Sequence, residues 1–400
     1  MPQISRRGLE MPSSPIRKLA PLANEAKRQG VKVYHLNIGQ PDLPTPQKGL
    51  DVLKSINRKT LEYSPSEGLS MLREKLVKYY AKFGIDDITA DNIIVTSGGS
   101  EAILFAFLAC MNPGDEMIMV EPGYANYISF AVTAGIKVVT VTSYIDDGFK
   151  LPPMEDFERA ISPRTKAILL CNPNNPTGYV YSPEELHRLK ELVAKHDLYL
   201  IADEVYREFV YTDEPYVSAM SLGIPEHVIL VDSVSKRYSE CGIRVGMLVT
   251  HNRLVYDTVM KYCQARLSPP LLGQLVADAS IEGTEDYAQK CYDEYKERRD
   301  FFIKGLNSIP GVYSPMPHGA FYTVASLPVA DAEDFCRWCL TDFRMDGETV
   351  MMAPAAGFYR NPDLGRNQVR LAYVLKKEDL QRALMLLRGA LKAYNRRQVF

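Results

Sequence analysis

The sequence predicts an open α/β layer fold built on a mostly parallel sheet, followed by a smaller α+β domain. Three observations carry this. At 400 residues the chain is too long for one small domain and suggests two. From about residue 48 to 290, apolar runs alternate with helical stretches, the mark of a layered α/β sheet. From about 300 onward that rhythm breaks, and strands mix with helices. The expected division is 1–47, 48–295 and 296–400.

In chain order, a short helix is expected around Ile16–Arg28, then the stretch Tyr34-His-Leu-Asn-Ile-Gly39. The prolines of Gln40-Pro-Asp-Leu-Pro-Thr-Pro46 forbid regular structure. Strands follow at Ile93–Val95, Met117–Val120, Ala167–Leu170, Leu198–Ile201 and Val228–Val231. The run from Ala102 to Leu108 opens a helix. Ser182-Pro-Glu-Glu185 supplies an N-cap, a proline in the first turn and a capping-box glutamate. Leu186, Leu189, Leu192 and Val193 then share one face. The last part carries strands Phe321–Ala325, Thr349–Met352 and Val369–Val374, with helices 331–342 and 377–394.

Composition removes several classes. A net charge of −2 offers no basic patch, so nucleic acid is not an expected partner. No apolar run approaches the ~18 residues of a membrane span, and no secretory leader is expected at Met1-Pro-Gln-Ile-Ser-Arg-Arg7. Seven scattered cysteines read as reduced thiols in a cytoplasm. Cys336-Arg-Trp-Cys339 has no second pair to complete a metal site and reads as ordinary helix cysteines. No metal is expected.

The informative string is Ser233-Val-Ser-Lys236-Arg-Tyr-Ser-Glu-Cys-Gly242-Ile-Arg244-Val-Gly246, directly after an apolar strand. A deprotonated lysine amine forms a Schiff base with a carbonyl. Ser233 and Arg244 are groups that hold a phosphate beside it. An aldehyde that carries a phosphate is pyridoxal 5'-phosphate (PLP). Companion motifs follow other strands: Gly98-Gly99-Ser100-Glu101 before a helix, Glu121-Pro-Gly-Tyr124, Asn172-Pro-Asn-Asn175-Pro-Thr-Gly178 and Ala202-Asp203-Glu-Val-Tyr206. Arg370 lies near the C-terminus.

In this order, over nearly the whole chain, the motifs resemble the fold-type I PLP-dependent aminotransferases of class I/II, and most of all bacterial aspartate aminotransferases. The resemblance implies roles. Lys236 is the Schiff-base lysine and proton carrier. Asp203 is the partner of the pyridine nitrogen, placed at a strand end where open α/β sheets bind ligands. Tyr206 and Asn175 meet the ring's phenolic oxygen, and Tyr124 stacks on the ring. Gly98, Gly99, Ser100, Ser233 and Arg244 hold the phosphate, with Tyr63 reaching the phosphate of a neighbouring subunit. Arg370 clamps the substrate α-carboxylate, bordered by Gly39 and Asn175. The implied assembly is a cytoplasmic homodimer with shared sites. The implied reaction is ping-pong exchange between an amino acid, aspartate favoured, and 2-oxoglutarate.

A dicarboxylic substrate needs a second cation. Some bacterial aspartate aminotransferases carry a lysine where this chain has Ser100. Arg266 is a possible replacement, or a surface ion-pair residue. Tyr34, Arg17 and Arg28 are candidates for the mouth. A C–S β-lyase or aminocyclopropane-carboxylate-synthase-like eliminase on the same fold would use the same residues. A PLP-binding regulator would need a DNA-binding domain that residues 1–45 are too short and proline-broken to hold. A Rossmann dehydrogenase would need a Gly-x-Gly-x-x-Gly turn that the chain lacks.

Overall fold

The apolar runs become strands. The structure, a computed structural model, describes residues 2–283 and 285–397. In chain order its strands are β1 (Lys32–His35), β2 (Ile93–Thr96), β3 (Glu116–Glu121), β4 (Lys137–Thr142), β5 (Thr165–Cys171) and β6 (Tyr199–Asp203). There follow β7 (Val228–Ser233), β8 (Gly246–Val249), β9 (Tyr322–Ser326), β10 (Glu348–Met351), β11 (Ala353–Pro354) and β12 (Gln368–Ala372). Strands β2 to β8 make one seven-stranded sheet in the order β2-β8-β7-β6-β5-β3-β4. Its strand pairs are parallel except those that β8 makes with β2 and β7.

Alternation along the strands explains why this sheet is buried on both faces. Ile94, Met117, Met119, Leu169, Ile201 and Ile229 enter one apolar cluster. Their neighbours Ile93, Val95, Ile118, Ile168, Leu200 and Leu230 enter another. The second cluster includes Leu186, Leu189, Leu192 and Val193 from the helix Pro183–Lys195. That helix starts where expected: Ser182 and Glu185 form a reciprocal capping box. Each of these buried leucines contributes about 1.5–3 kcal/mol relative to exposure.

Register sets the site. Cys171 pairs with Asp203, Asp203 with Val231, and Ser233 with Gly246. Gly246 also pairs with Thr96. The C-terminal ends of β2, β5, β6 and β7 therefore share one edge, and the chain leaves each of them into a loop or helix start.

The later part of the chain builds the antiparallel sheet β11-β12-β9. The N-terminal segment packs with this part of the chain, in a separate two-stranded sheet. Strand β1 pairs in parallel with β10, and Leu36 O accepts from Ala372 N at 2.7 Å. The expected helix at 16–28 begins only at Ala20. The proline-rich 40–46 stays irregular until the helix Gln47–Ser55 begins after Pro46. The expected division at 295–296 falls inside one continuous helix, Glu285–Asn307. No glycine or proline interrupts it before Gly305, so nothing local ends it there. Cys336 and Cys339 are buried in the helix Ala332–Thr341, where burial pushes both thiols up. Among the described residues no helix is long and apolar enough to cross a membrane.

Candidate active site

A cavity of about 700 Å³ opens at the shared edge of strand ends. Its walls include Gly39, Gly99, Ser100, Tyr124, Asn175, Asp203, Tyr206, Ser233, Lys236, Arg244 and Arg370. These residues span most of the chain length, and the register of β5, β6 and β7 brings their loops together.

Lys236 sits in the single turn Val234–Arg237 that caps β7. Ser233 holds this turn: its Oγ accepts from Ser235 N at 3.1 Å and donates to Val245 O at 2.8 Å. The Lys236 amine donates to Gly39 O at 2.9 Å, and Cys241 Sγ lies 3.9 Å away. The lysine therefore points across the cavity towards the N-terminal segment.

Asp203 ends β6 and is 7% exposed. Its Oδ2 accepts from Tyr127 OH at 2.6 Å and its Oδ1 from Val205 N at 3.3 Å. Burial pushes its pKa up to about 6, against the pull of those bonds. The neighbouring charges that bear on it, Asp232 and Glu204, are acidic and push the same way. A protonated ring nitrogen is the kind of partner that would favour its ionised form.

The opposite end suits an anion. Gly98 precedes the helix Gly99–Cys110, whose first backbone N–H groups have no partner within the helix. Gly98 has φ 79°, and a Cβ there would lie 2.3 Å from Arg244 Nη2. Only glycine lets the loop and this guanidinium approach so closely. Arg244 itself has φ 56°, a left-handed conformation that non-glycine residues adopt at a cost. Ser233 and Ser235 hydroxyls bond each other at 2.8 Å on the same wall. A helix start, two hydroxyls and a guanidinium fit a phosphate.

Between these ends, Asn175 Nδ2 donates to Tyr206 OH at 3.3 Å. Tyr124 OH accepts from Asn126 Nδ2 at 2.7 Å, which fixes its ring beside Tyr127, and burial pushes its pKa up to about 12. Arg370 is 1% exposed. It donates to Asn37 O and, at 3.3 Å, to Asn175 Oδ1. Its guanidinium lies 4.7 Å from the Tyr322 ring centre and 5.2 Å from that of Phe358. Its Nε is buried without a hydrogen-bond partner.

Besides Gly98, whose neighbour Gly99 does, the site candidates Tyr63 and Arg266 do not line the cavity of their own chain. Tyr63 is 76% exposed, on the irregular stretch before the helix Ser70–Ala81. Arg266, the expected second cation, is absent from the cavity wall of its own chain. It ends the helix Arg253–Arg266, donates to Ser66 O at 3.0 Å and lies 3.5 Å from Glu101. That ion pair and the helix end hold it outside the cavity wall. Tyr34 bonds Glu348 and Arg28 pairs with Glu25, both away from the cavity. Arg17 does line it, with Ser14. Tyr127, Ser235 and Tyr322 also line it, and motif reading does not find them. Ser235 lies inside the lysine string and was within reach of it. The partnerships of Tyr127 and Tyr322 depend on contacts distant in sequence.

Comparison with known proteins agrees with this geometry. The profile of the family "Aminotransferase class I and II" matches residues 31–387. The chain belongs to the class I and II aminotransferases. These enzymes use PLP, and this chain is a PLP-dependent aminotransferase of that family. It is 34% identical to the putative aminotransferase YugH of Bacillus subtilis, over 94% of this chain and 95% of that one. It is 31% identical to the aspartate/prephenate aminotransferase of Thermus thermophilus, covering 95% and 97%. An alanine aminotransferase from Pyrococcus furiosus superposes with a TM-score of 0.90 at 30% identity, covering 98% and 100%. The aspartate aminotransferase of Thermotoga maritima gives 0.89 at 31%, covering 97% and 100%. The fold is thus the α/β type of these aminotransferases.

Proposed function

We propose that the cavity carries out transamination between an amino acid, with aspartate favoured, and 2-oxoglutarate. The observation that carries this is the separation of three chemical environments in one cavity. Asp203 is a buried carboxyl without a cation beside it, Lys236 is an amine in the middle, and Arg370 is a buried guanidinium with an unpartnered Nε. Bound there, PLP supplies an electron sink for the charge left at the amino acid's Cα.

The chain's own residues do the rest. Gly98, Gly99, Ser100, Ser233 and Arg244 hold the phosphate. Tyr124 covers one ring face, and Asn175 with Tyr206 meets the phenolic oxygen. Asp203, once ionised, holds the proton on the ring nitrogen. Lys236 anchors the carbonyl carbon and, once freed by substrate, moves the proton at Cα as base and then acid. Arg370 takes the α-carboxylate by a two-point bond, with Gly39 and Asn175 beside it. That contact also satisfies Nε, a buried donor whose isolation costs about 1–3 kcal/mol.

The aspartate preference is supported by names among the relatives and by Arg17. It is a cation on the cavity wall besides Arg244 and Arg370. Its charge also acts on Tyr124. Arg17 therefore joins Arg266 as a candidate for the group that takes a distal carboxylate. The exposed Tyr63 supports a homodimer in which this side chain completes the neighbour's phosphate site.

A half-reaction screen tests the reading. Purified holoenzyme receives single amino acids without a 2-oxo acid, and cofactor absorbance and released 2-oxo acid are followed. Stoichiometric conversion by aspartate and glutamate is expected. Conversion chiefly by alanine or aromatic amino acids would remove the aspartate assignment. Continuous pyruvate and ammonia release from a cysteine-type substrate would mean a lyase.

A further inference from the structure

Hydrogen bonds run unbroken from Arg370 to Lys236, and one residue closes the chain that no motif contains. Arg370 donates to Asn175 Oδ1 at 3.3 Å, and Asn175 Nδ2 donates to Tyr206 OH at 3.3 Å. Tyr206 OH lies 3.1 Å from Tyr322 OH, which lies 3.2 Å from Gly39 O. The same carbonyl accepts from Lys236 at 2.9 Å. Donor counting fixes the direction. A carbonyl oxygen only accepts, so Tyr322 gives its single proton to Gly39, and Tyr206 must donate to Tyr322.

Packing leaves Tyr322 no alternative position. It is 2% exposed on β9, and its ring lies under the Arg370 guanidinium at 4.7 Å. A Cβ on Gly39 would lie 1.8 Å from its hydroxyl, so glycine at 39 makes room for that oxygen. One side chain thus touches the carboxylate arginine by its face, and Tyr206 and the N-terminal segment by its hydroxyl.

We propose that Tyr322 is a positioning residue that couples the two ends of the site. It is a second acceptor for the Tyr206 proton and steadies Arg370, while sharing Gly39 with the lysine. When Lys236 leaves Gly39 for the cofactor carbon, Tyr322 keeps that carbonyl satisfied. Buried carbonyls left unpaired are costly, so this contact holds the N-terminal segment against the cavity through the change. Tyr206 has one proton, so the Tyr322 oxygen competes for it with the cofactor's phenolic oxygen. The inference rests on the placement of cofactor and substrate proposed above.

The test is Tyr322→Phe holoenzyme, which keeps the ring and loses the hydroxyl. Two readings are taken beside the parent: the absorbance–pH titration of the bound cofactor, and KM against kcat for several amino acids. Without that competing acceptor Tyr206 donates more fully to the phenolic oxygen, which becomes less basic. The titration midpoint should therefore fall by on the order of half a pH unit, a modest hydrogen-bond effect. KM should rise about three- to tenfold for every amino acid alike, the size of one lost buried hydrogen bond. Tyr322→Leu, which also removes the ring under Arg370, should raise KM further without moving the midpoint more. If Tyr322→Phe leaves either the midpoint or the KM values at parent level, the coupling is wrong and Tyr322 is packing only. Should that variant fail to fold, Gly39→Ala displaces the hydroxyl with the tyrosine kept, and the same two readings decide. A parent holoenzyme with no cofactor titration at all would instead overturn the placement of the cofactor.

Discussion

The floor and the mouth of the cavity are built differently. The floor is made of strand ends: Asp203 closes β6, and Ser233 and Lys236 follow β7. Those strands are hydrogen-bonded on both sides and buried on both faces, so the residues that leave them are held by the whole sheet. The mouth is made of irregular chain, with Ser14 and Arg17 ahead of the helix Ala20–Arg28 and Gly39 ahead of the prolines. Rigid strand ends set the type of chemistry, and looser segments adjust what is admitted. Substitutions on the floor should therefore remove turnover, and substitutions at the mouth should change preference.

The largest effect is expected at Asp203. Asp203→Asn should lose most of kcat, because a neutral amide cannot hold a charged ring nitrogen. The same change should stabilise the cofactor-free protein. The folded pKa of Asp203, about 6, lies above its ordinary value of 3.8. The penalty for ionising it is absent below about pH 4 and grows as pH rises through 6. At pH 7 the variant should gain about 1–2 kcal/mol, less than the full two-unit shift implies because the amide pairs imperfectly. Melting of the cofactor-free proteins at pH 4 and pH 7 reads this: a gap at pH 7 that closes at pH 4. An equal gap at both would mean the carboxyl is not strained.

Arg370 lies between floor and mouth, on a strand but facing the cavity. Arg370→Lys keeps the charge and loses the paired geometry. KM should rise at least about tenfold for all amino acids, from a loss of about 1.5–3 kcal/mol. A defect confined to dicarboxylic substrates would show that another residue takes the α-carboxylate. The smallest effect is expected at the mouth. Arg17→Gln should lower kcat/KM for aspartate about two- to fivefold while alanine stays near its parent value, as for an exposed charge pair of up to about 1 kcal/mol. An unchanged aspartate/alanine ratio would remove Arg17 from recognition.

The same contrast explains what the sequence made legible. Lys236, Asp203 and Asn175 stand in short strings at the ends of apolar runs, and both the strand and the special residue are local signals. The strand β8 was less visible, because Arg244-Val-Gly246 reads as a phosphate loop and hides the strand that begins there. Tyr127 reaches Asp203 across 76 positions, and Tyr322 reaches Tyr206 across 116. No spacing rule spans such distances. Arg266 is no more legible: which way a helix-terminal arginine turns depends on partners such as Glu101, far away in sequence.

The central claim is that Lys236 carries the cofactor at the end of β7. The most direct measurement is borohydride reduction of the PLP-loaded protein, followed by digestion and mass mapping of the pyridoxyl group. The account predicts the added mass on the peptide that contains Lys236, and no reducible adduct in Lys236→Ala. A pyridoxyl group on another lysine, or an adduct that survives in Lys236→Ala, would contradict it.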